Sequence, residues 1–163
     1  HSGERGYGLL ISATGLGSVT GNLFISHFQQ SRRLGLMMLT CAALAPFALA
    51  GFSLVTGTLA NAAGAFWLAC FFAVLASAFS SVFLVSSMTV LQLKVPDNLR
   101  GRVMGIHSIT FSMIALGGLA SGALATKFSA PVAVVIGAVV VLSSVIWVTI
   151  RQGEIINLDG SQL

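Results

Sequence analysis

LGLMMLTCAALAPFALAGFSLVTGTLANAAGAFWLACFFAVLASAFSSVFLVSSMTVLQL, Leu34 to Leu93, runs for sixty residues without one charged side chain. A helix rises about 1.5 Å per residue and the hydrocarbon core of a bilayer is about 30 Å thick, so about 20 apolar residues make one crossing. Sixty residues are too many for one crossing and suit two. Outward from this stretch lie three more charge-free runs, Gly6–Ser31, Val103–Thr126 and Phe128–Ile150, each suited to a single crossing. The expected fold is therefore all-α, a polytopic transmembrane helix bundle of five spans.

Composition points the same way. The chain is 56% hydrophobic and only 7% charged, with mean hydropathy +0.96. Soluble domains carry roughly a quarter charged residues. The formal charge of +4 comes from eight basic residues scattered along the chain, with no cluster to follow a phosphate backbone. A nucleic-acid partner is not expected, and the lipid bilayer is.

The spans read as about Tyr7–Phe28, Leu34–Val55, Ala65–Leu93, Arg102–Thr126 and Pro131–Ile150, forming a transmembrane unit over residues 1–150. Residues 151–163 read as a short polar tail. The sixty-residue run breaks at TGTLANAAG, Thr56–Gly64. Pro96 ends the third span, because proline lacks an amide hydrogen and disfavours helix in the residue before it. Asp97 or Asn98 can cap the fourth helix, and Pro131 suits the first turn of the fifth. Pro46 should kink the second. Nothing resembles a cleavable signal peptide, and a start at His1 reads as a fragment or a processed product.

Basic residues set the expected orientation. Arg32, Arg33, Lys94, Arg100, Arg102 and Arg151 fall on one side, against Arg5 and Lys127 on the other. The first side is expected to be cytoplasmic, which places the C-terminus inside. Tyr7, Trp67 and Trp147 fall near span ends, as interfacial aromatics do.

Small and polar residues suggest how the helices meet. GLGSVTG, Gly15–Gly21, departs from the dinucleotide pattern GxGxxG by one residue and follows no strand, so nucleotide binding is not expected. Gly17 and Gly21 share a helix face that admits another backbone, and Gly118 and Gly122 repeat the spacing. Spans one and four then read as the crowded helices, and spans two and five as lipid-facing. Thr14, Ser18 and Asn22 form a polar stripe on span one. Ser77, Ser80, Ser81 and Ser87 form a looser one on span three, and His107, Thr110 and Ser121 lie along span four. Each hydroxyl can instead bond back to its own helix. The Asn22 amide needs partners that one helix does not supply, so it should face a neighbour or a wet cavity.

No Asp, Glu, Lys or Arg lies mid-span, which removes the usual mark of an ion path. His107 and His27 read as interfacial. Cys41 and Cys70 are single and lack zinc-ligand spacing, so they read as small hydrophobes. No metal, no cofactor and no catalytic residues are expected, and the chain does not read as an enzyme.

Between spans three and four runs VPDNLRGRVMGIHS, residues 95–108. With Leu91 and Gln92 before it, this loop resembles a cytoplasmic loop in the second half of major facilitator superfamily transporters. It is closest to the branch of the enterobactin exporter and related bacterial drug or secretion effectors. The matching residues are Leu91, Gln92, Val95, Pro96, Asp97, Arg100, Gly101, Arg102, Val103, Met104 and Gly105. The opening YGLLISATGLGSVTGNL resembles that branch's eighth helix. HFQQSRRLG, after span one, looks like a degraded copy of the family's cytoplasmic signature that lacks its acidic residue.

The resemblance implies that the five spans are helices eight to twelve of a twelve-helix carrier, a partial C-terminal bundle in a bacterial inner membrane. Its partner would be the missing N-terminal transporter bundle. The implied function is part of a secondary active transporter, an exporter of small amphipathic molecules by alternating access. A five-helix membrane scaffold without transport activity remains the alternative. Residues expected to line the substrate path are Thr14, Ser18, Asn22, Ser77, Ser81 and Thr110. Asp97, Arg100, Gly101 and Arg102 form a cytoplasmic gate loop. Its arginines have two open explanations: pairing with Asp97 or partner carboxylates, or attraction to anionic headgroups.

Overall fold

The computed structural model describes residues 3–28, 34–59 and 64–151. The described residues form five helices: α1 (Gly3–Phe28), α2 (Leu34–Thr58), α3 (Ala65–Lys94), α4 (Asp97–Lys127) and α5 (Ala130–Arg151). All five are long and apolar enough to cross a membrane. Lipid offers backbone groups no hydrogen-bond partner, and a helix satisfies them within its own segment. Charge-free runs of this length therefore become spanning helices.

Local chemistry sets several ends. Gly64 precedes α3 with φ +94°, a left-handed conformation that glycine adopts without strain. α4 begins at Asp97 with Pro96 as its N-cap and no side-chain cap. The expected capping role of Asp97 or Asn98 is thus replaced by the proline, and the helix starts five residues before the expected Arg102. Proline does this because its fixed φ suits a helix entrance where the amide would be unsatisfied anyway. Pro131 sits in the first turn of α5. α2 runs from Leu34 to Thr58 as one helix through Pro46. The break expected over Thr56–Gly64 falls partly at residues 60–63, outside the described residues.

The helices stand in one row. α1 packs on α3, α3 on α2, α2 on α5 and α5 on α4. This order corrects two expectations. The second span is not a lipid-facing helix: α2 sits at the centre of the row and buries Ala42, Ala45, Pro46, Ala48, Ser53 and Val55. The fourth span is not crowded: α4 stands at an edge, with α5 as its main neighbour. Its Gly117, Gly118 and Gly122 have nothing within 4 Å of where a Cβ would stand.

The α2–α3 contact is rich in small residues, and Gly51 of α2 lies directly against the Phe72 ring of α3. Ala42, Ala45 and Ala48 of α2 and Ala69, Ala73 and Ala76 of α3 are all buried. Spaced three or four apart, they share faces and let the two helices approach closely. Val55, Ala65 and Ala69 make a small cluster covered by Phe52 and Phe72. Ser53, only 2% exposed, donates its hydroxyl to the Pro131 carbonyl at 2.7 Å and ties α2 to α5.

Candidate functional site

α3 is the helix around which the candidate site is built. α1 and α2 flank it, leaving two furrows along its length. The first, about 370 Å³, is lined by Thr14, Leu49, Phe52 and the α3 residues Ala73, Ala76, Ser77 and Ser80. These residues lie near the middle of their helices. The second, about 270 Å³, lies between Thr20, Phe24 and Ile25 of α1, Met37 and Cys41 of α2, and Ala78, Phe79 and Val82 of α3. Neither lining includes a charged residue.

Close contact between α1 and α3 fixes the wall of the first furrow. Gly17 and Gly21 are buried against α3. A Cβ on Gly21 would stand 2.8 Å from the Ala78 carbonyl oxygen. One on Gly17 would meet the Val74 carbonyl and the Ser77 hydroxyl. That proximity lets the Ser77 hydroxyl donate to the Thr14 carbonyl across the seam.

Of the six residues expected to line a path, the structure brings Thr14 and Ser77 together in this furrow. Ser18, Asn22, Ser81 and Thr110 are not among its lining residues, and Ser80 contributes instead. Most hydroxyls bond to their own helix: Thr14 to Ile11, Ser18 to Gly15, Thr20 to Leu16, and Ser121 to Gly118. Such a hydroxyl is already satisfied and adds little polarity to a wall. Thr110 is exposed on α4.

Asn22 differs. Its Oδ1 is buried with no hydrogen-bond partner, as are Ser86 Oγ and His107 Nε2. An unsatisfied buried polar atom costs about 1–3 kcal/mol. Ser86, 2% exposed, was not singled out by sequence reasoning. It lies among other serines on α3, and nothing in its spacing separates a buried serine from an exposed one. The His107 ring meets Phe111 edge-on at 5.4 Å.

At the connection between α3 and α4, an Arg100 guanidinium nitrogen donates to the Gln92 carbonyl at 3.2 Å. Gln92 lies in the last turn of α3, where carbonyls lack helical partners and the dipole favours a cation. Arg100 thus stabilises the end of the preceding helix, a role that the two sequence-level explanations did not include. Arg102 is exposed, and Gly101 has open space around it. The Asp97 side chain lies outside the described residues. His27, Arg32 and Arg33 likewise fall on residues whose side chains are not described.

Among the described residues no group of three His, Cys, Asp or Glu side chains could hold a metal ion. The two cysteines are free and lie on separate helices.

Five helices, each long and apolar enough to cross a membrane, define a multi-pass membrane protein. The model of the Major Facilitator Superfamily matches residues 1–160, and the chain belongs to that superfamily, a family of transporters and not of enzymes. No curated protein and no solved structure matches it.

Proposed function

We propose that the chain forms one side of a secondary active exporter of small amphipathic molecules, working by alternating access. The observation that carries this reading is the furrow along α3. It is apolar, free of charge, near the middle of the helices that line it, and edged by the hydroxyl-bearing residues Thr14, Ser77 and Ser80. Sites at the bilayer midplane between rocking bundles are how secondary transporters handle substrate. Walls of this chemistry suit a neutral or amphipathic solute, because a fixed charge on the solute would meet no counter-charge.

A furrow open along one side needs a second wall. The row of helices supports a further transporter bundle as the partner that supplies it. The exposed glycines of α4, Gly117, Gly118 and Gly122, suit close packing by such a helix. The loop RGRVMG and the opening YGLL support the drug- and siderophore-exporting branch, a bacterial inner membrane, and a cytoplasmic C-terminus. In that frame Asp97, Arg100, Gly101 and Arg102 belong to the inner gate.

The test uses the intact transporter with Cys41 and Cys70 replaced by Ala and a single Ser80→Cys. Maleimide labelling of the thiol introduced at position 80 should slow when a transported amphiphile is present. Filling the furrow with Ala76→Phe should lower efflux of a neutral amphiphilic dye at least several-fold. Labelling indifferent to every transported compound, with unchanged efflux in the filled variant, would remove the furrow as the path.

A further inference from the structure

The two halves of α2 are held differently, and Pro46 lies where they meet. C-terminal to Pro46, α2 is fastened on two sides. The Ser53 hydroxyl donates to the Pro131 carbonyl of α5 at 2.7 Å, and a Cβ added to Gly57 would stand 3.2 Å from the Pro131 Cβ. Towards α3, Gly51 lies against the Phe72 ring, and Val55 packs with Ala65 and Ala69. The furrow between α1 and α3 reaches this half only at Leu49 and Phe52.

N-terminal to Pro46, both flanks border a cavity. Met37 and Cys41 line the cavity of about 270 Å³ shared with α1 and α3. Leu36, Leu39, Thr40 and Ala43 line another, of about 320 Å³, against α5. At about 100° per residue the two sets lie about 130° apart round the helix, so the cavities stand on different sides of it. The buried residues of this half, Gly35, Ala42 and Ala45, are small and interlock with nothing. The Ser87 hydroxyl of α3 reaches Met38 Sδ at 3.4 Å, but it also meets its own helix's Phe83 carbonyl at 2.7 Å, a better acceptor than a thioether.

We infer that residues 34–45 form an arm that bends at Pro46 and acts as a lid on the cavity shared with α1 and α3, closing it by swinging away from α5. The inference concerns how α2 moves and goes beyond the substrate path above; it does not depend on which solute is carried.

Backbone chemistry places the hinge. Pro46 lies inside α2 and has no amide hydrogen, so the helical bond to the Ala42 carbonyl cannot form. Elsewhere in a spanning helix a sharp bend strains a backbone hydrogen bond that lipid cannot replace. At Pro46 that bond is already missing, and sharp helix bends gather at proline for this reason. Leu36 is about ten residues from Pro46, an arm of about 15 Å. A bend of about 20° moves Leu36 by about 5 Å, close to one helical pitch. The swing fills one cavity and widens the other. No charge has to be desolvated, because neither lining carries one.

The full chain is placed in nanodiscs with Cys41→Ala and Cys70→Ala, and with spin labels on Leu36→Cys of the arm and Leu23→Cys of α1, both exposed positions. Pulsed electron resonance reads the distance between the labels. Ala43→Phe fills the cavity beside α5 and should shorten that distance by about 2–5 Å. Cys41→Phe, in place of Cys41→Ala, fills the other cavity and should lengthen it by about as much. A second pair across the fastened half, Leu54→Cys and Leu9→Cys, should stay within about 1 Å, the size of a small helix shift. Pro46→Ala, with helicity checked by circular dichroism, should confine the first pair to the same limit. Three results each overturn the inference. Both fillings could leave the 36–23 distance unchanged, the second pair could move as far as the first, or the shifts could keep their full size with Pro46→Ala. The first two comparisons keep Pro46 and so decide the matter whether or not Pro46→Ala folds.

Discussion

Adding one methyl group at Gly21 should push α1 and α3 apart. The new Cβ would stand 2.8 Å from the Ala78 carbonyl oxygen and 3.0 Å from the Ala78 Cα. Both atoms are backbone and cannot swing away. Reaching ordinary contact at 3.4 Å needs a retreat of about 0.6 Å. Overpacking of this kind costs about 1–3 kcal/mol. Alanine also gains up to about 1 kcal/mol over glycine inside a helix. The net effect of Gly21→Ala is therefore a loss of about 0–3 kcal/mol, too variable to interpret alone. Gly15→Ala supplies the reference: it lies on the same helix, and a Cβ there meets nothing within 4 Å. Propensity cancels between the two variants, so their difference should isolate a packing cost of about 1–3 kcal/mol. Gly17→Ala should differ from the reference by at least as much, since its Cβ would meet the Val74 carbonyl and disturb the Ser77–Thr14 hydrogen bond. Reversible unfolding in mixed micelles measures all three. If Gly21→Ala and Gly15→Ala agree within about 0.3–0.5 kcal/mol, the margin expected for independent sites, the close α1–α3 approach is refuted.

The α2–α5 tie predicts that Ser53→Ala loses about 0.6–1.7 kcal/mol, the range of single hydrogen bonds inside membrane proteins; thermal melts in detergent check it. Asn22→Leu removes a buried orphan oxygen and should leave stability unchanged or raised, whereas replacing a bonded amide would lower it by about 1–3 kcal/mol. Arg100→Ala should cost more stability than Arg102→Ala, by about 0.3–1 kcal/mol at low salt, because only Arg100 reaches the terminal carbonyls of α3; the gap should shrink at high salt. Gly118→Leu and Gly122→Leu should leave this chain's own melting unchanged, since no neighbour is displaced. In the intact transporter the same changes should abolish efflux if a second bundle packs on α4, and normal efflux would remove that contact.

Some of the site was legible in sequence for a reason particular to each residue. Gly17 and Gly21 lie four apart as two glycines, so their shared face stood out, and the structure places that face on α3. Ser77 and Thr14 stood out as hydroxyls at helical spacing. Nothing in that spacing separates Ser80, which lines the furrow, from Ser81, which does not. The alanine seam of Ala42, Ala45 and Ala48 against Ala69, Ala73 and Ala76 carried a readable small-residue period, but alanine is so common in apolar spans that the period is easily passed over. Arg100 was read by its neighbours in sequence, whereas the Gln92 carbonyl it reaches is eight residues back across a helix break.

The amino-acid sequence alone determined that this chain holds five helices long and apolar enough to cross a membrane. That much is local: in hydrocarbon a backbone must satisfy its hydrogen bonds within its own helix, so a charge-free run of sufficient length suffices. Which helix stands beside which was decided only in three dimensions. Lipid tails are as apolar as leucine, so burial in protein and exposure to lipid leave nearly the same hydropathy on a span. For that reason α2 could read as peripheral and α4 as crowded, and only contacts between helices, such as Gly51 on Phe72 and Ser53 on Pro131, set α2 at the centre of the row and leave α4 at its edge.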